Sequence, residues 1–196
     1  MPTRTATAET HDAMLDAAKQ LIAELGYGQM SHADITAAVG MGRTTFYEHF
    51  SSKEDILIAL VRRDLPPLTR EILESVDDQL PPDERLFQLT AEMVRFVGTD
   101  HLGLILHTEV PRLSPDAQRD IADAHGGIAH EFAAIYRSGV EQGLFRPIPP
   151  RLAGRMMEQI MMTGGKVVMD SPDPAGDVSD IADETAKILI AALAPA

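Results

Sequence analysis

Apolar positions in the first sixty residues repeat at helical rather than strand spacing. Met14, Ala18, Leu21, Ile22 and Leu25 recur at steps of four, three, one and three, one stripe on a helix from about Thr10 to Leu25, which Gly26 ends. Ser31 then offers a helix cap with Asp34 three positions on, and Ile35, Ala38 and Val39 give the short helix that follows a single apolar face. Gly40-Met41-Gly42 is a tight turn. A second short helix runs from Arg43 to Phe50, with Phe46 and Phe50 four apart and inward, and Arg43, Thr44, Thr45, Tyr47 and Glu48 largely outside. Ser51 repeats the capping device with Glu54, and Ile56, Leu57, Leu60 and Val61 give the next helix a face to lay on the first three.

Beyond residue 63 the prolines act as punctuation, at Pro66-Pro67, Pro81-Pro82, Pro111 and Pro115, Pro147 with Pro149-Pro150, and Pro172 with Pro174. Leu86, Leu89, Met93, Val94 and Val97 form one helical stripe, and Ile128, Phe132, Ile135, Tyr136 and Val140 another. Residues 151–169 and 178–193 form a last helical pair joined by a loop rich in Asp, Pro and Gly. Strand alternation is almost absent and there is no internal repeat, so the expected fold class is all-α. Two consecutive prolines remove two helix donors, so a break or sharp kink is expected at Pro66-Pro67.

Composition narrows the function classes. The 196 residues are 44% hydrophobic and 24% charged, ordinary for a soluble globular protein. With no cysteine there is no disulfide framework, thiolate zinc site or cysteine nucleophile. No apolar run reaches membrane-spanning length and no signal-peptide pattern follows Met1, which leads to an expected cytoplasmic location. The net charge of −13 is unusual for a protein that meets DNA, but it is unevenly placed. Residues 1–63 hold six basic residues against eight acidic, a net of −2, and the other 133 residues carry −11. An acidic body behind a nearly neutral head would suppress non-specific DNA affinity.

Two short helices around a tight turn, the second with an exposed polar first turn, form a helix-turn-helix pattern. The stretch Val39 to Phe50, VGMGRTTFYEHF, followed by Ser52-Lys53-Glu54, resembles the TetR family of transcriptional regulators. That family's pattern reads approximately Ala-Gly-Val-Ser-x-Gly-Thr-Leu-Tyr-x-His-Phe and then Ser-Lys-Glu. Gly40, Thr45, Tyr47, His49, Phe50 and Lys53 match, as do Ala17-Ala18, Gly26-Tyr27 and Ile35 upstream. Gly42 stands where a capping Ser is usual, and Thr44 where Gly is usual. The resemblance covers roughly the first third of the chain. It implies an N-terminal DNA-binding domain, residues 1–52, and a helical effector-binding and dimerisation domain, residues 53–196.

Arg43 is the candidate for direct base readout, since a guanidinium can make a bidentate contact to guanine O6 and N7, and Thr44 can place its methyl or hydroxyl on a base edge. By the resemblance, Thr45, Tyr47, His49 and Lys53 would contact phosphates, and Ser31 and His32 would do the same through hydroxyl and backbone donors. Tyr47 as a packing residue and Lys53 as a solvated helix-start charge stay open. In the body, Met156, Met157, Met161, Met162 and Met169 share one helix, and their flexible thioethers suit either an apolar pocket or plain core. Phe87, Phe96, Phe132 and Tyr136 are candidates to line the same cavity. The resemblance implies that the last two helices form a four-helix bundle with a partner subunit, with Gly154, Gly164, Gly165, Ala186 and Ala191 allowing close approach. It likewise makes Pro66-Pro67 a mechanical joint, against the plainer reading of an inter-helix turn.

His101, His107 and Glu109, or His125, His130 and Glu131, are the histidine groupings nearest to a metal pattern, but scattered solvated histidines fit better and no metal or cofactor is expected. No nucleophile elbow or phosphate loop is present, so no enzymatic activity is expected. The resulting expectation is a homodimeric repressor that leaves a pseudo-palindromic operator when a small apolar or amphipathic effector fills the body. Two alternatives stay open: a regulator of the same fold without a ligand, and a helical binding protein or enzyme with a vestigial helix-turn-helix.

Overall fold

The computed structural model describes residues 4–100, 102–103, 106 and 109–195. Among these there are eight α-helices, one short 3-10 turn and no strand. The helices are α1 (Arg4–Leu25), α2 (His32–Ala38), α3 (Arg43–His49), α4 (Lys53–Ser75), α5 (Pro82–Thr99), α6 (Pro115–Glu141), α7 (Pro150–Met169) and α8 (Pro174–Leu193). The chain divides into two compact units: Met1–Leu65 with Ile105–Ala124, and Pro66–Leu104 with His125–Ala196.

The first unit is built from short helices whose ends are fastened by side chains. Ser31 and Asp34 close a capping box at α2: the Asp34 amide donates to the Ser31 hydroxyl at 3.3 Å, and the Ser31 amide to the Asp34 carboxylate at 2.8 Å. Gly26 and Gly40 take φ of +80° and +67°, the left-handed conformation that lets the chain turn sharply after α1 and α2. Met14, Leu15, Ala18 and Ile22 of α1 are buried with Ile35, Phe46, Phe50 and the Ile56, Leu57, Leu60 and Val61 face of α4. Leu25, expected in the α1 stripe, is instead exposed beside the terminating glycine.

Two local expectations are corrected. The cap of α4 is Ser52, whose hydroxyl accepts from the Asp55 amide at 3.1 Å, one residue later than the expected Ser51 and Glu54 pair. Glu54 instead accepts the Ser114 amide at 3.0 Å, at the start of α6, and the Ser114 hydroxyl as well. The expected break at Pro66-Pro67 is absent, for α4 is continuous through both prolines. Their fixed φ is compatible with a helix, so what they remove is two amide donors, and the long helical runs on either side carry the chain across.

In the second unit, α5 packs on both α7 and α8, and α7 packs on α8. Glycines set the register of these contacts. A Cβ on Gly98 would lie 2.6 Å from Val168 Cβ, and one on Gly165 would lie 2.3 Å from Val97 Cγ1. So each helix lodges a valine in the other's glycine notch. Gly164 lies equally close against Thr185 of α8. Gly164, Gly165 and the fully buried Ala186, expected at a partner subunit, are therefore used within the chain, while Gly154 and Ala191 remain exposed. Asp173 caps α8 by accepting from the Gly176 amide at 3.1 Å, so that helix starts at Pro174, ahead of the expected 178.

Candidate nucleic-acid interface

Helix α3 is seven residues long and is anchored by one fully buried side chain, Phe46. This leaves the Arg43, Thr44, Tyr47 and Glu48 side chains exposed, with Thr45 and His49 half-buried. Gly42 precedes the helix in an extended conformation and makes no side-chain cap.

The exposed residues are linked across the two short helices. An Arg43 Nη2 hydrogen is donated to the Tyr47 hydroxyl at 3.3 Å, with the guanidinium carbon 5.6 Å from the Tyr47 ring centre. The Tyr47 hydroxyl lies 3.5 Å from Nδ1 of His32 at the start of α2, and the His32 ring packs 4.5 Å from that of Phe46. His32 Nε2 is buried without a hydrogen-bond partner. The His32 ring thus faces inward and supports Tyr47. The hydrogen bond from Arg43 to Tyr47 raises the arginine's pKa further, so Arg43 is a permanent cation at the start of the helix. His49 closes α3 with its ring 6.1 Å from His11 of α1, and Ser31 is exposed beside the capping box.

Lys53 is not arranged as the resemblance implied. Its ammonium donates to the carbonyl oxygens of Tyr27 at 2.5 Å, Gly28 at 3.2 Å and Met30 at 3.1 Å, and lies 4.3 Å from the Tyr27 ring centre. All three ammonium hydrogens are taken up by the turn between α1 and α2. Burial lowers the lysine's pKa, opposed by the Glu109 carboxylate. Burial, followed by Glu54 and Glu109, pushes the Tyr27 phenol up to about 12. Tyr27 was no candidate at the outset; its partner lies 26 residues away, and no local spacing joins the two.

The other cations of this unit are also engaged. Lys19 pairs with Asp64 at 2.9 Å, Arg63 with Asp64 at 2.6 Å and Asp16 at 2.8 Å, and Arg62 with Asp120 at 3.0 Å. Burial alone would raise the Asp64 pKa, but hydrogen bonds from Arg63 and Lys19 outweigh it and hold the carboxyl below the usual range.

In the second unit, Phe96, Phe132, Tyr136, Met157 and Met161 are buried and Phe87 is half-buried. Tyr136 has a specific structural task, since its hydroxyl accepts the Ile148 amide at 2.7 Å and donates to the Arg146 carbonyl at 2.9 Å. Three buried polar atoms of this unit have no hydrogen-bond partner: Thr69 Oγ1, Asp83 Oδ1 and Arg85 Nε. Among the described residues no cluster of three or more His, Asp or Glu could hold a metal ion; His101 and His107 lie outside them, as does the side chain of His125. No helix among them is long and apolar enough to cross a membrane.

Two family models match this chain, bacterial regulatory proteins of the tetR family over residues 14–60 and the tetracyclin repressor-like C-terminal domain over residues 79–163. The chain belongs to the TetR family. It is therefore a DNA-binding transcriptional regulator, and α2 and α3 are its helix-turn-helix. Among TetR-type relatives, a fatty acid metabolism regulator protein of Bacillus subtilis is 25% identical over 146 residues, covering 74% of this chain and 75% of that protein. The repressor KstR2 of Mycobacterium tuberculosis is 27% identical over 136 residues, 68% of each. The same fold occurs in FadR of Bacillus subtilis solved with stearoyl-CoA, with a TM-score of 0.75, 22% identity, and coverage of 93% of this chain and 99% of that one.

Proposed function

We propose that this TetR-family regulator is a homodimeric repressor that leaves a pseudo-palindromic operator when an acyl-CoA thioester, or a similarly amphipathic molecule, occupies its helical body. The observation that carries the reading is the exposed Arg43, Thr44 and Tyr47 surface on a helix fixed by buried Phe46. In this reading residues 1–52 supply the DNA contacts. Arg43 and Thr44 meet base edges, and Ser31, Thr45, Tyr47 and His49 meet phosphates, with His32 holding Tyr47 in place.

Residues 53–196 supply the effector and dimer surfaces. The names of the relatives support an acyl-CoA, since one regulates fatty acid metabolism and another was solved with stearoyl-CoA. Phe87, Phe96, Phe132, Tyr136, Met157 and Met161 offer apolar and deformable surface. Thr69, Asp83 and Arg85 offer one hydroxyl, one acceptor and one donor to a polar group that both gives and takes hydrogen bonds. Dimerisation through α7 and α8 is supported by Leu152, Val167 and Ile188, which are 52%, 51% and 54% exposed. Ile188→Glu should give a folded monomer by light scattering.

The test is to select fragments of the source genome on the purified protein, then titrate saturated acyl-CoAs of increasing length against the best complex. Release by one range of chain lengths is expected, with a coupling of about 1–3 kcal/mol. Operator binding indifferent to every acyl-CoA would remove the effector class and leave a regulator without this ligand. No fragment retained at low salt would remove the DNA-reading role.

A further inference from the structure

Lys53 opens α4, yet its side chain turns away from α3 to the chain that joins α1 to α2. The ammonium meets the carbonyl oxygens of Tyr27, Gly28 and Met30 at 2.5, 3.2 and 3.1 Å, and the Tyr27 ring covers it at 4.3 Å. Three converging acceptors match the three hydrogens of an ammonium, so no N–H is left over for an outside anion. The turn held in this way leads directly into α2. Met30 is 2% exposed, Ser31 is the α2 cap, and His32 reaches the hydroxyl of Tyr47, which accepts from Arg43.

We infer that Lys53 is a positioning residue rather than a phosphate ligand: its ammonium fastens the turn before α2, and through Ser31, His32 and Tyr47 fixes the direction in which Arg43 meets DNA. The carbonyls it neutralises would otherwise be a concentrated acceptor surface at the head. The inference rests on the DNA-reading role of α3, and its test separates the two.

Operator affinity is measured for the full-length dimer, its Lys53→Ala variant and its Lys53→Arg variant over a series of salt concentrations, with helical content and melting followed in parallel. A phosphate ligand, when removed, takes about 0.9 per protomer from the slope of log K against log salt, and arginine replaces it well. A clamp behaves otherwise. Lys53→Ala should lose affinity by about tenfold with the slope unchanged. Lys53→Arg should lose nearly as much, because a planar guanidinium cannot bring three hydrogens to one point. A shallower slope in Lys53→Ala, or wild-type affinity in Lys53→Arg, would overturn the inference.

If both variants unfold, the wild-type protein still decides the matter through the nitrogen-15 spectrum of its lysine ammonium groups. A slowly exchanging Lys53 signal, unmoved by operator, is expected; a rapidly exchanging signal, or one that shifts on binding, would overturn the clamp. Wild-type protein that holds no DNA would remove the reading role alone, because the ammonium signal of the free protein still reports on the clamp.

Discussion

The two compact units are held together by different chemistry. In the first, α2 and α3 are seven residues each, too short to persist alone, and polar fastenings do much of the work: the Ser31–Asp34 box, the Lys53 clamp, and the Asp64 group with Lys19 and Arg63. In the second, helices of about twenty residues interlock through Gly98 with Val168 and Gly165 with Val97. Charge can be screened or titrated, whereas a notch filled by a methyl group answers neither to salt nor to pH. The first unit should therefore respond to its surroundings where the second does not.

The largest effect should come from filling a notch. Gly165→Leu puts a side chain where Val97 already lies and should destabilise the protein by about 3 kcal/mol or more in chemical denaturation, with little dependence on salt. Loss of less than about 1 kcal/mol would mean that α5 and α7 can part easily. Next comes Arg43→Ala, expected to cost about 1–3 kcal/mol on the best operator and to flatten the preference among base variants at one position, without altering the melting curve. Equal weakening on all DNA would reassign Arg43 to phosphate.

Asp64→Asn should be smaller, about 1 kcal/mol of stability, because the carboxylate serves both Lys19 and Arg63 near the surface. Its pH dependence has a definite sign. A carboxyl whose folded pKa is lowered contributes fully above its unfolded value of about 3.9, and the contribution disappears as pH falls through the folded value. The wild-type advantage over Asp64→Asn should thus be constant near neutrality and vanish in strong acid; an advantage that grows in acid would contradict the pairing. Smallest is Tyr47→Phe, which removes the hydroxyl between Arg43 and His32. About 0.5–1 kcal/mol of operator affinity should go with it, measured by anisotropy.

What sequence reasoning reached and missed follows the range of the interactions. Gly26, the Ser31 cap and the Phe46–Phe50 pair were legible because each rule spans four residues or fewer. Ser51 was preferred to Ser52 as the α4 cap because Glu54 fits the local pattern, whereas the structure gives Glu54 to Ser114, sixty residues on. Pro66-Pro67 was read as a break from a rule about donors, and the continuity of the helix on both sides outweighed it. The destination of Lys53 and the valine notches depend on which turns meet in space, and no local spacing encodes that.

The commitment of Lys19, Arg62, Arg63 and Lys53 to internal partners bears on how such a regulator finds its target. Sliding along a duplex depends on a sequence-blind attraction to the backbone, and here much of the charge that would supply it is already neutralised. Encounters with unrelated DNA should be brief, and the search should proceed by repeated departure and return through solution rather than by long excursions along the helix. Time lost on the rest of the chromosome falls, and each visit to the operator must succeed by shape and base contact within a short dwell.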